Sequence, residues 1–189
     1  MAEPIDMDSQ IVAHLGVVEW LRSEIELLHR IADTLVEAFK NGGRLYLLGN
    51  GGSAADAQHI ATELVGRFLV DRKALPAVAL TTDCALLTAV GNDFDAEHVF
   101  VRQVEAHVRP SDAVWALSVS GTSPTVIAAV ARAREIGATV IGFTGRSGGR
   151  LAEYCHHCLR VDHLVTPRVQ EVHELAYHLV CHRIEQAFE

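Results

Sequence analysis

A chain of 189 residues carrying 24 Asp plus Glu against 16 Lys plus Arg, a formal charge of -8, is long enough for one well-buried core. Its basic residues are dispersed, which argues against a nucleic-acid surface, and no apolar run approaches a membrane span. We expect a single domain over 1–189, soluble and cytoplasmic, with its four cysteines reduced.

In chain order, Val17, Leu21, Ile25, Leu28, Ile31, Leu35 and Val36 recur at helical spacing and predict an amphipathic segment over 11–39, stopped by Asn41-Gly42-Gly43. This N-terminal segment, 1–41, has more apolar surface than one sheet face obviously needs. It either covers its own sheet or joins oligomer contacts, and the pattern leaves both open. Short apolar runs follow at 44–48, 77–80, 113–118 and 139–144, with a weaker fifth at 158–161, each of the first four leading to a Gly, Ser or Thr loop. Helical patterns fill 53–68, 84–90, 96–108, 124–136 and 168–188. Such alternation predicts an α/β fold whose parallel sheet is covered on both faces, with ligands beyond the carboxyl ends of the strands. Cys84 and Cys181 read as small core residues. Cys155-His156-His157-Cys158 reads as a helix end entering a strand, because no second ligand pair stands nearby to complete a zinc site.

Two loops carry the functional signal. Gly49-Asn50-Gly51-Gly52-Ser53-Ala54 satisfies the glycine pattern of a dinucleotide fold, yet Asp71 precedes the second strand and Asp83 comes about thirty residues on, too far to close it. No Gly-Lys-Ser/Thr follows, which excludes a Walker loop. The second loop, Ser118-Val119-Ser120-Gly121-Thr122-Ser123-Pro124, gathers hydroxyls at a helix start, with Ser123 as the expected N-cap and Pro124 as first helical residue. One compact phosphate on a polyhydroxylated ligand suits it better than a pyrophosphate.

His59 and Glu63 stand four apart on one helix face, about 6 Å along the axis. They suit a divalent metal, or a base and its neighbour, or simply a surface pair. His173 and His178 are five apart rather than four, which defeats a zinc-protease reading of HELAYH. With Val172, Leu175 and Val180 inward, the two histidines should not share an environment, and one is expected to be only a solvated side chain.

Together these residues resemble the sugar isomerase (SIS) superfamily, and within it the phosphoheptose isomerases. The resemblance covers nearly the whole chain and is carried by GNGGSAADAQHIATELVGRF, AVGNDFD, SVSGTSPTVIAA, GFTGRSGGRLAE and RVQEVHELAYH. It implies a flavodoxin-like SIS domain with a five-stranded parallel sheet flanked by helices, and an N-terminal helical extension. It also implies a homotetramer with active sites at subunit contacts, and a bound zinc, one per subunit. The activity implied is an aldose-ketose isomerisation of D-sedoheptulose 7-phosphate to D-glycero-D-manno-heptose 7-phosphate through an enediol, the first step toward ADP- or GDP-heptose precursors.

Carried over by motif, His59, Glu63, Gln170 and His178 would be metal ligands, and Glu63 and His178 also the acid/base pair. Asn50, Gly51, Ser53, Arg67, Asp93 and Gln170 would surround the sugar phosphate, with Ser118, Ser120 and Ser123 at its phosphate. Val119 departs from the family, which commonly has a hydroxyl residue there, and Thr122 replaces a common Asn. Residues 161–167 are also less typical and are expected at the sugar's far end. A non-catalytic branch that binds the bacterial replication initiator lacks the carboxylate and histidine matching Glu63 and His178. A sugar-phosphate-binding protein and an isomerase of another heptose phosphate are the competing readings. Gln170 and His178 are eight apart, about 12 Å on a straight helix. Both must lean to meet one metal, unless one comes from a neighbouring subunit or Gln170 precedes the regular helix.

Overall fold

In the computed structural model, which describes residues 6–189, the apolar runs become strands β1 (Leu45–Gly49), β2 (Ala77–Ala79), β3 (Ala113–Leu117), β4 (Thr139–Gly145) and β5 (His157–Val161). They form one sheet in the order β2-β1-β3-β4-β5, parallel throughout. Every residue of β1 and β3 is buried, which is why these strands read as unbroken apolar runs rather than alternating ones. Their two-residue period divides the core into two layers. Leu45, Leu47, Trp115, Leu117 and Phe143 face one side, and Tyr46, Leu48, Val114, Ala116 and Val140 the other.

Helices α3 (Gly52–Val65), α2 (Ile25–Lys40) and α8 (Thr166–Gln186) contribute to the first layer, α5 (His98–His107) and α6 (Pro124–Ile136) to the second. The N-terminal segment is not one helix. Helix α1 (Met7–Leu21) and α2 are joined by a single tight turn, Arg22–Glu24, where the Ser23 hydroxyl donates to the Trp20 carbonyl at 2.7 Å. Helix α2 packs on α8 and β5, so it covers its own sheet. Helix α1 packs on α8 but leaves Met7, Ile11, Val12 and Leu15 exposed.

Two cysteine expectations divide. Cys181 is buried, whereas Cys84 is exposed. Cys84 opens α4 (Cys84–Asp93), a helix of which only Val90 is buried. Cys155 and Cys158 lie where α7 (Leu151–Tyr154) gives way to β5, as expected.

The strand order places the site. β1 has its sequence neighbour β2 on one side and β3 on the other, so the connections leave in opposite directions and open a crevice between the ends of β1 and β3. Gly49 pairs in register with Leu117, which sets the two signal-bearing loops side by side. Among the described residues, no helix is long and apolar enough to cross a membrane.

Candidate active site

The loop after β1 turns tightly into α3. Gly51 sits at φ 58 and ψ -123, a region closed to other residues, and a Cβ on Gly49 would stand 2.7 Å from the Ser53 carbonyl oxygen. The start of α3 is thereby folded back over the crevice. Opposite, the Asn50 side-chain amide donates to Ser123 Oγ at 2.7 Å and to Thr125 Oγ1 at 2.8 Å. Ser123 is the N-cap residue of α6 by position but makes no side-chain cap bond, because its hydroxyl is engaged by Asn50. The first-turn N–H groups of α6 are therefore left facing the crevice without that partner. Thr122 donates through its backbone N–H and its hydroxyl to Ser120 Oγ, at 3.2 and 3.1 Å. The resulting cavity of about 660 Å³ is lined by Asn50, Ser53, Ser118, Ser120, Ser123 and Gln170. Polar hydroxyls and a helix N-terminus make it suited to a phosphate oxyanion.

Two turns along α3 from that cavity, about 10 Å by helical rise, stands a second constellation. His59 Nε2 meets Glu63 Oε1 at 3.1 Å and His178 Nε2 at 3.5 Å. The other ring nitrogen, Nδ1, bonds the Tyr177 hydroxyl at 2.9 Å, with Glu174 Oε1 at 4.0 Å. Phe68 stacks on His178, 5.6 Å between centroids and 29° between planes. Burial, and then the neighbouring His59, lower the His178 pKa, so its imidazole is neutral. Burial, and then Glu174, raise Asp56 to about 6, with His59 opposing, and Asp56 Oδ2 is buried with no hydrogen-bond partner. Tyr177 is pushed up by burial first and by the carboxylates of Asp56 and Glu174 next, so it keeps its proton.

This donor set suits a divalent cation. Two imidazole nitrogens converge, and ligand atoms of His59, Glu174 and His178 all lie within 4.8 Å of one another, the nitrogen and carboxylate mixture that zinc accepts. A Tyr177 oxygen accepting from Nδ1–H would leave the Nε2 lone pair of His59 free for the metal.

A family model of the SIS domain matches residues 16–145. The phosphoheptose isomerase of Roseiflexus sp. (strain RS-1) is 51% identical over 166 residues, 88% of this chain and 84% of the relative. The chain belongs to the phosphoheptose isomerase family of SIS domains. Among solved structures, phosphoheptose isomerase GmhA from Neisseria gonorrhoeae superposes with a TM-score of 0.85 at 38% identity, covering 96% of this chain and 100% of that one. A phosphoheptose isomerase from Francisella tularensis gives 0.89 at 32% identity, covering 95% and 96%.

Against the family's motif residues, the geometry sorts the expected set in three. Asn50, Ser53, Ser118, Ser120, Ser123 and Gln170 share the cavity, with Gly51 in the loop beside it. His59, Glu63 and His178 meet in the second constellation. Arg67 and Asp93 face solvent within one chain; Arg67 donates to the Leu69 carbonyl and Asp93 accepts from the Asn92 amide.

Gln170 lies inside the unbroken helix α8, not before it. Its amide is packed against Gly52, so close that a Cβ there would lie 2.3 Å from Nε2. Within one chain Gln170 thus addresses the cavity, and Glu174, one turn nearer, joins the histidines. Residues His163, Leu164 and Thr166 of the atypical 161–167 segment also line the cavity.

The expected solvated histidine does not exist. His173 is 0% exposed, with Nε2 bonded to the Thr144 carbonyl at 3.2 Å, while His178 is half-buried. Helix α8 is covered on more than one face, by β4 and β5 and by α2 and α3, so positions five apart are both enclosed. Sequence reasoning missed Tyr177, Glu174 and Phe68. The i, i+4 spacing of Glu174 and His178, the same spacing as His59 and Glu63, was the available signal for one of them.

Proposed function

We propose that this chain interconverts D-sedoheptulose 7-phosphate and D-glycero-D-manno-heptose 7-phosphate. The observation that carries the reading is the meeting of Glu63 and His178 at one nitrogen of His59, on the same helix that roofs the hydroxyl-lined cavity. Relatives named phosphoheptose isomerase over most of the chain support it.

In this reading Ser118, Ser120 and Ser123 hold the phosphate with the first N–H groups of α6, and Asn50 orients Ser123. Ser53, Gly51 and Gln170 face the sugar chain. Glu63 removes a proton from C1 of the ketose; the C–H electron pair becomes the C1–C2 double bond of the enediol, and the carbonyl pair moves onto O2. His178, neutral at its free nitrogen, takes the O1 proton and delivers one to O2. Glu63 then returns its proton to C2, which completes the aldose with all protons accounted for. A zinc ion held by His59, His178 and a neighbouring carboxylate, Glu63 or Glu174, would supply Lewis acidity at the carbonyl oxygen. Ligation and proton transfer at His178 compete for one lone pair, because a ligand histidine must be neutral and unprotonated at the binding atom.

The same reading makes the enzyme a homotetramer. The exposed apolar face of α1 is the subunit contact, and Arg67 and Asp93 reach a site only across it. Its compartment is the cytoplasm, in keeping with four free cysteines.

The test is incubation of the zinc-supplemented protein with sedoheptulose 7-phosphate, with Glu63→Gln alongside, and detection of aldoheptose phosphate. Conversion by the wild type alone is expected, with Glu63→Gln lower by about 10² to 10⁴. No conversion by a folded wild type would move the assignment to a sugar-phosphate-binding protein.

A further inference from the structure

Helix α3 ends two residues after Glu63, so the carbonyl of Glu63 and those following it lack helical donors. The Arg72 guanidinium supplies donors to two of them, with the Leu75 N–H also on the Leu64 carbonyl at 3.0 Å. It donates to the carbonyl of Glu63 at 2.6 Å, of Leu64 at 2.7 Å and of Lys73 at 3.2 Å. A cation here also faces the negative end of the helix dipole. Behind it, Glu185 of α8 accepts from the backbone N–H of Phe68 at 3.0 Å and of Leu69 at 2.8 Å, one bond to each carboxylate oxygen. Arg72 Nε lies 3.7 Å from Glu185 Oε1, and both side chains are 1% exposed. That nitrogen has no hydrogen-bond partner, so the attraction between the two is Coulombic. Burial acts to raise the Glu185 carboxyl, but the amides of Leu69, Phe68 and Val70 and the Arg72 charge hold it below its ordinary value.

A buried ion pair is a poor way to gain stability alone, since apolar residues of like volume often serve as well. What this pair does is hold two things that the chemistry needs. Arg72 grips the backbone of Glu63 itself. Glu185 fixes the backbone of Phe68, whose ring lies against His178. We propose that the Arg72–Glu185 pair is a positioning device that sets Glu63 and His178 relative to each other, an inference that rests on the acid/base roles given above. Neither residue lines the cavity, so the effect belongs in turnover rather than in substrate affinity.

Arg72→Lys keeps the charge opposite Glu185 but replaces the rigid planar fork, which reaches Glu63 and Leu64 from two separate nitrogens, with one flexible point of donation. In the assembled, zinc-supplemented enzyme we expect kcat to fall by about 10- to 100-fold, the scale of a small misplacement of reacting groups, with KM for sedoheptulose 7-phosphate nearly unchanged. In parallel, the ring-proton NMR signal of His178, assigned through His178→Gln and displaced by the Phe68 ring current, should move. A folded Arg72→Lys with wild-type kcat, or with an unmoved His178 signal, overturns the inference. If Arg72→Lys does not fold, Glu185→Gln carries the same two readouts, because an amide offers one oxygen where two backbone N–H groups need one each. A wild type inactive on sedoheptulose 7-phosphate sinks the functional reading instead, and the His178 signal then decides the positioning role by itself.

Discussion

His173 gives the structure its most quantitative prediction. It is fully buried on the inner face of α8, bonded through Nε2 to the Thr144 carbonyl, and its Nδ1 has no partner. Burial pushes its pKa down from 6.5 to about 4, the bond to Thr144 opposing. The unfolded chain therefore takes up this proton near pH 6.5 and the folded chain only near pH 4, so stability is lost as pH falls through that window. At about 1.4 kcal/mol per pH unit the loss from this one side chain is about 3 kcal/mol. Replacement by Gln keeps a donor near Thr144 and removes the titration. The assay is chemical unfolding of wild type and His173→Gln at intervals from pH 7.5 to 4. The wild type should lose about 3 kcal/mol more than the variant, with a pH-independent offset from repacking. Asp56 titrates in part of the same range, in the opposite sense because its pKa is raised; it is present in both proteins and cancels in the difference. Parallel stability curves would show that His173 does not stay neutral, and the argument from its burial would fall.

Three further outcomes are expected. Removing metal with a chelator should abolish turnover and zinc should restore it; undiminished turnover in a rigorously zinc-free preparation would leave His178 free to act only on protons. Asn50→Ala removes two bonds, to Ser123 and Thr125, and at about 1 kcal/mol each should raise KM by about tenfold or more with a smaller effect on kcat; an unchanged KM would detach that bridge from phosphate binding. Ile11→Glu, on the exposed face of α1, should dissociate the proposed tetramer in sedimentation or light scattering, and a protein that stays assembled would place the subunit contact elsewhere.

Much of the fold was legible because each strand of a sheet covered on both faces must be apolar along most of its length, and β1 and β3 are so throughout. Strand order was not legible from periodicity, which reports faces and not neighbours; it came with the family resemblance. The same limit explains the errors. Ser123 has the chemistry of a cap, but Asn50, 73 residues away, claims its hydroxyl. Cys84 looks like a core residue by type, but it stands on the first turn of a helix of which only Val90 is buried. His173 belongs to a face of α8 that tertiary packing covers after the fact. The His59–Tyr177 bond spans 118 residues, and no local spacing announces it. What local spacing did announce, the His59–Glu63 pair, was right about shared facing and silent about what else would converge there.

The unequal distribution of charge along α3 and the stretch of α8 that faces it has a consequence for how a substrate arrives. Asp56, Glu63 and Glu174 cluster around the histidines at one end, while hydroxyls and helix starts, without a carboxylate among the cavity-lining residues, occupy the other. Before a cation is bound, a sugar phosphate approaching backwards would bring a dianion against the carboxyl groups of Asp56, Glu63 and Glu174. One approaching forwards meets dipoles turned to receive it. The preference that survives metal binding is the cavity's own: with the phosphate seated at the helix starts, the reacting carbons are left on the side of the histidines.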